Sequence, residues 1–393
     1  MKNYLFAGIR GYGKVHVIDL DTFTISHSKE FTPETSGGQV LQIKTTDSRD
    51  IYIGIRESDH STYFRVDFNL NEQASFTTYG QTFRQRPIIS LHPTDDNLVY
   101  LGDGGFYVSA RDKNFQFLEV VGGENPHPYY EPVNNSGLFF TNSIIAHDPI
   151  HDKLFLYYGG RRSVNYYYFT SVYCVPLDDL ASAPNGDFKA IGQTNTEIIR
   201  DEIYNWCHYV DAEGIPYMFV TGVGWNANFD GPAQRLAKVR LTDPWTITKT
   251  PDTFADNVSF IDAVTGSGTE KLQFLYGGYL YNVGARGEER RKAISIINPD
   301  TLALEDKYDY SGDVPPMATS SIVDEENGVF YVGCDAGILL KLNLSTMEIV
   351  GTLDLNDTRS VVELQFVDLL VHTPILNLQQ IDNKVSVGWT YDT

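Results

Sequence analysis

Val329-Phe330-Tyr331-Val332-Gly333 decides how this chain is read, together with what stands on either side of it. Ahead of it runs Ile322-Val323-Asp324-Glu325-Glu326-Asn327-Gly328, an apolar run ending in a polar turn. Behind it come an alternating segment, Leu339-Leu340-Lys341-Leu342-Asn343-Leu344-Ser345, and a further strand, Glu348-Ile349-Val350-Gly351-Thr352-Leu353. Apolar run, turn, apolar residues closing on Gly, loop, alternating strand, turn, strand is a four-stranded antiparallel unit written out in sequence. The core of the unit recurs as Leu5-Phe6-Ala7-Gly8, Ile51-Tyr52-Ile53-Gly54, Val99-Tyr100-Leu101-Gly102, Leu156-Tyr157-Tyr158-Gly159, Phe219-Val220-Thr221-Gly222 and Phe274-Leu275-Tyr276-Gly277. Its copies lie about 46 to 63 residues apart, the period of propeller blades with insertions.

A lone four-stranded sheet cannot bury both faces, so such units stack around an axis. The expected fold is all-β: a single closed β-propeller of seven four-stranded blades, one domain over 1–393. The blades fall at about 1–38, 39–85, 86–136, 137–197, 198–257, 258–314 and 315–357, with 358–393 as closing strands. The chain enters at what should be the second strand of its first blade. A C-terminal segment, Val361-Val362-Glu363-Leu364-Gln365-Phe366-Val367 or Ile375-Leu376-Asn377-Leu378, must then supply the missing inner strand. Val385-Ser386-Val387-Gly388 repeats the motif once more, as an extra outer strand or the start of an eighth blade.

Composition fits this reading. Of 393 residues, 13% are aromatic, led by 25 Tyr and 22 Phe, which favour strands. Fifty-one Asp and Glu against 30 Lys and Arg leave a formal charge of −21, which repels nucleic acid and anionic membrane at long range and keeps the protein in solution. Cys174, Cys207 and Cys334 share no metal or disulfide spacing and read as buried free thiols. The N-terminus has no signal-peptide pattern and no segment has the length of a membrane span, so synthesis in the cytoplasm is expected.

Val329-Phe330-Tyr331-Val332-Gly333 with Leu340-Lys341-Leu342-Asn343, and Lys14-Val15-His16-Val17-Ile18-Asp19-Leu20-Asp21, resemble the YVTN-type repeat. His92-Pro93-Thr94 with Asn97-Leu98-Val99-Tyr100 resembles lactonase-like and quinoprotein-like propellers. The resemblance runs as a rhythm through nearly the whole chain and implies the fold. Such propellers serve many unrelated functions, and no lactonase catalytic set maps onto these residues.

Arg10, Arg56 and Arg161 each lie two residues past a motif Gly, so a propeller brings them to one face, and Arg162 follows directly. Guanidinium groups gathered there could clamp a carboxylate or phosphate, or pair with the chain's own carboxylates. Tyr129 and Tyr130, in Pro126-His127-Pro128-Tyr129-Tyr130, and Trp225 and Asn226 sit in loop segments with the makeup of an adaptable binding surface. Tyr166 to Tyr168 read as strand. His92, His147, Asp95-Asp96-Asn97 and Asp324 to Asn327 read as turns, not metal sites. Nothing resembles a nucleophile elbow, HExxH motif, P-loop or dinucleotide fingerprint, and no cofactor or metal is implied.

These features point to a non-catalytic binding or scaffold propeller that takes a protein or glycan on one face, and is compatible with a homo-oligomer in an assembly. A virion component, such as a phage tail or receptor-binding protein, is the narrower form. The alternative is a lactonase-like hydrolase or lyase working in the axial pocket.

Overall fold

The computed structural model describes residues 3–11, 13–32, 37–46, 50–57, 60–79, 87–103, 107–123, 139–148, 153–164, 167–177, 189–191, 199–200, 203–225, 232–242, 247–249, 273–283, 293–309, 318–367, 375–381 and 384–390. Among these residues the protein is almost wholly β, with one short 3-10 turn at Asp335–Gly337. The first sheet has the order Val361–Val367, Tyr4–Ile9, Lys14–Asp19, Thr24–Glu30. Its inner strand is the C-terminal candidate Val361–Val367, which pairs antiparallel with the first strand from Tyr4↔Val367 to Ile9↔Val361. The other candidate, Ile375–Ile381, pairs among the described residues only with Lys384–Thr390, so the last motif copy lies in a two-stranded ribbon there.

The inner strands adjoin in a circuit. Val361–Val367 lies beside Gln39–Thr45, then come Ile89–Leu91, Phe139–Asp148, Ile203–Val210, Gln273–Tyr276 and Ala318–Asp324, which returns to Val361–Val367. This is a β-propeller. Seven four-stranded blades were expected, and six sheets have that form; the sheet spanning 139–200 has five strands. The reason is length. Tyr167–Pro176 offers a ten-residue edge, Lys189–Ile191 covers only Val172 to Cys174, and Ile199–Arg200 pairs with the uncovered Phe169 and Thr170.

The core lies in the seams between sheets. Phe6, Val15 and Val17 of the first sheet meet Val40, Ile43, Ile53 and Ile55 of the second. On its other face, Leu5, Ala7 and Ile18 meet Tyr331 and Leu339 of the last sheet. The motif Gly belongs to these seams. A Cβ on Gly8 would stand 2.8 Å from Val40 Cβ, one on Gly54 2.9 Å from Pro87 Cβ, and one on Gly333 2.7 Å from Val361 Cγ1. In each case the next sheet's inner strand, or for Gly54 the Pro87 that leads into it, passes too close for a side chain, so the motif closes on Gly for lack of space.

Opposite each of these glycines the inner strand carries a bulge. One extra residue (Val362, Leu41 or Thr319) shifts the register, and a polar residue comes to face the Gly: Glu363 faces Gly8, Gln42 faces Gly54 and Ser320 faces Gly333. Bulges re-aim side chains, and here they aim them across the seam. Ser320 Oγ and Thr319 Oγ1 donate to the Val361 carbonyl at 2.7 and 2.6 Å. Glu363 Oε1 accepts from the Ile43 N–H at 3.1 Å, and Gln42 Oε1 accepts from the Ile89 N–H at 2.6 Å. Three consecutive seams are thus laced by buried hydrogen bonds.

One motif copy is displaced from its expected place. Gly277 does not close a second strand; Gly277 and Gly278, at φ 57° and 81°, form the tight turn between Gln273–Tyr276 and Tyr279–Val283. Glycine takes positive φ values at little cost, which suits both central positions of this turn. The second strand of this sheet is Tyr279–Val283, which carries Tyr281 and Val283 into the seam with Phe330 and Val332.

Candidate functional site

The site is assembled where the last, first and second sheets meet. Arg10 follows the strand Tyr4–Ile9, and Arg56 ends the strand Ile51–Arg56. Arg10 forms an antiparallel bridge with Gln39, and Gln39 is the register partner of Arg56. The hydrogen-bonded ladder therefore crosses from one blade to the next at this face, with Gln39 between the two arginines. Adjacent strands lie about 4.8 Å apart, which puts the Arg10 and Arg56 backbones two strand spacings from each other.

The closing segment adds a third guanidinium. The Arg10 N–H donates to the Ser360 carbonyl at 3.0 Å, and the Arg359 side chain lies over Gly11, with Nε 3.6 Å from where a Cβ would stand. Gly11 has φ 101°, a conformation open to glycine, and the bare backbone leaves room for Arg359. Burial, and then the positive charge of Arg359, hold the half-buried Arg10 guanidinium below its usual pKa. Lys14 Nζ completes the basic group, 3.4 Å from Asp357 Oδ2, and Asp357 Oδ1 also accepts the Arg359 N–H at 3.0 Å. His60 Nε2 stands 2.9 Å from Glu57 Oε2 just beyond Arg56.

His16 lies behind this group. Its Nδ1 is 2.7 Å from Ser28 Oγ. Burial and the neighbouring Lys14 push its pKa down to about 4, against a smaller opposing pull from Asp357. It is a neutral imidazole at neutral pH and a weak base. Among the described residues no three His, Cys, Asp or Glu side chains are placed to hold a metal ion.

The other sequence candidates are dispersed. Arg161 and Arg162 lie within Lys153–Val164 of the fourth sheet, with Arg161 in register with Phe139 and Thr170, and Arg162 with Phe169. An intervening sheet separates them from Arg56. Trp225 ends the strand Pro216–Trp225 opposite Pro232. Tyr129, Tyr130 and Asn226 lie outside the described residues. Arg359 and Lys14 were not anticipated. For Arg359 the signal was the closing strand itself: once Val361–Val367 pairs with Tyr4–Ile9, the residues just before Val361 fall beside Arg10.

The turn readings at His92 to Asn97 and at Asp324 to Asn327 are seen directly, whereas His147, also read as a turn, lies within the strand Phe139–Asp148 in register with Leu154. His92 Nδ1 accepts the Asp95 N–H at 3.1 Å, Asp95 Oδ1 accepts the Asn97 N–H at 2.9 Å, and Asp324 Oδ2 accepts from Asn327 Nδ2 at 2.8 Å. Cys207 and Cys334 are buried thiols, and burial pushes the Cys207 thiol up to about 12.

No protein-family model and no curated protein sequence matches the chain. Solved structures do. A dihydro-heme d1 dehydrogenase, NirN, in complex with DHE, superposes with a TM-score of 0.52 at 12% identity over 91% of this chain and 74% of its own. A putative 6-phosphogluconolactonase from Bacteroides fragilis superposes at 0.51 with 13% identity, over 93% of this chain and 98% of its own. The likeness is one of fold. At such identity a shared propeller carries no activity from one chain to the other.

Proposed function

We propose that this propeller is a binding module whose docking face carries Arg10, Arg56 and Arg359, and that it recognises anionic groups, carboxylate or phosphate, on a protein or glycan partner. One observation carries the reading: in a chain of formal charge −21, two guanidinium groups, Arg10 and Arg359, are held within electrostatic reach of each other, with Arg56 one shared ladder residue away. Like charges held together at a half-buried spot suit an anion that lies between them. The narrower form of the proposal, a tail or receptor-binding component of a virion, draws on the Tyr-, Asn- and Gly-rich segments around Tyr129 and Asn226.

The test is calorimetric titration with two probes, an oligogalacturonate and a polyglutamate peptide. Saturable binding that weakens about tenfold or more in Arg56→Glu with Arg359→Glu, at a nearly unchanged melting temperature, is the expected result. Trp225→Ala should weaken the same complex. Binding that persists in the double variant, or a partner found on the opposite face at His92 and Asp324, defeats the assignment of the face. Saturable lactone hydrolysis that disappears in Arg56→Ala would replace the binding module with a hydrolase.

A further inference from the structure

A second polar site lies in another seam. In the sheet Gln273–Tyr276, Tyr279–Val283, Ala293–Ile297, Leu304–Asp309, one cross-strand row reads Gln273, Asn282, Ser295. Gln273 is 7% exposed, Asn282 0% and Ser295 1%. Among the described residues, both side-chain amide atoms of Gln273 and both of Asn282 are enclosed with no hydrogen-bond partner. Strand alternation settles which way the row faces. Leu275, Leu280 and Ile297 stand two residues along from Gln273, Asn282 and Ser295, so they share the same face. Those three pack against Cys207, Phe219 and Leu236 of the preceding sheet. The polar row therefore closes one end of an otherwise apolar seam between two blades.

Buried carboxamides without partners are rare in folded proteins, because each unmade bond costs the full desolvation of the group. The chemistry of these two narrows what could satisfy them. Each offers two N–H donors and an acceptor oxygen. A carboxylate would accept from the NH2 groups and leave both amide oxygens unpaired, and an ammonium would do the reverse. A hydroxyl oxygen donates and accepts, so it can bond both. Burial also keeps the Cys207 thiol of this seam protonated. We propose that Gln273 and Asn282 bind an enclosed neutral hydroxyl group between the two blades, supplied by an ordered water molecule or by a small polyol.

The experiment is a crystal structure of the full chain, grown without polyols, at a resolution that shows ordered water, beside native mass spectrometry of the purified protein. An oxygen within hydrogen-bond distance of both amides, with no added mass, assigns water. The same density with a mass excess removed by denaturation assigns a polyol. Amides turned onto protein atoms, or bare of any partner, overturn the proposal. Thermal melts of Gln273→Leu and Asn282→Leu provide a second reading. Loss of a bound hydroxyl lowers the melting temperature by several degrees, whereas removal of an unsatisfied amide raises it, and a rise overturns the site.

Discussion

Glu363 and Ile43, 320 positions apart in the chain, are joined by a hydrogen bond of 3.1 Å from the Ile43 N–H to Glu363 Oε1, buried in the seam between the first and second sheets. Sheet pairing alone does not account for this bond. It links the inner strand of one blade to the inner strand of the next, and it exists because a bulge at Val362 turns Glu363 sideways.

That bond predicts an asymmetry between two substitutions. Glu363→Gln keeps an acceptor oxygen and should lose little stability. Glu363→Ala strands the buried Ile43 N–H and should lose about 1–3 kcal/mol, the cost of leaving a buried donor unsatisfied. Urea unfolding measures both, and equal losses would show that the bond to Ile43 is not what Glu363 contributes.

Gly8 makes a steric prediction. A Cβ there stands 2.8 Å from Val40 Cβ, whereas one on Gly102 stands 3.3 Å from Ile88 Cβ. Gly8→Ala should cost about 1–3 kcal/mol through forced separation of the blades, and Gly102→Ala clearly less. Thermal denaturation of the two variants checks the order; a reversed order would mean that seam spacing does not select the motif glycine.

The acid limb of stability should carry the mark of His16. Its pKa in the folded protein lies near 4, below the ordinary 6.5, so the unfolded chain binds the proton more readily. Its contribution is fully present above about pH 6.5 and is lost as pH falls toward 4. The loss is on the order of 3 kcal/mol. His16→Gln should flatten the fall in melting temperature across that window. An unchanged pH profile in the variant would assign the fall to other groups.

Closure by Val361–Val367 predicts what truncation does. A chain that ends at Asp357 lacks the inner strand of the first sheet and exposes the edge of Tyr4–Ile9. Its unfolding should broaden and shift down, as seen by circular dichroism, with a gain in aggregation. A truncated chain that melts as sharply and as high as the intact one would contradict the pairing.

The repeat was legible because each blade needs the same three things in the same order, and Tyr331-Val332-Gly333 states them most clearly. Misreading came where different physics produces the same letters. Phe274-Leu275-Tyr276-Gly277 looks like the motif, yet its Gly turns the chain, whereas Gly333 makes room for Val361. The bulges at Val362, Leu41 and Thr319 leave no local signature beyond the polar residue that follows each. A second repeated device also went unread. Leu70, Phe115, Leu302 and Met347 all take positive φ in the turn before the outer strand, with their side chains buried. Apolar residues rarely adopt that conformation, and burial of the side chain offsets the strain. Of the candidate site, Arg10 and Arg56 could be placed by counting from the motif Gly. Arg359 could not, because its neighbour Gly11 lies far away in sequence and only ring closure brings them together.

The pairing of Tyr4–Ile9 with Val361–Val367 also sets a timetable for synthesis. The two strands are about 360 residues apart, and a ribosome adding roughly 5–20 residues per second needs tens of seconds to pass from one to the other. Throughout that interval the earliest strands emerge with one hydrogen-bonding edge unmatched, while later blades are already complete enough to stack. The nascent chain must therefore wait for its own far end, and a chaperone that shields residues 4–9 during translation would act on the step where this molecule is most exposed to mispairing.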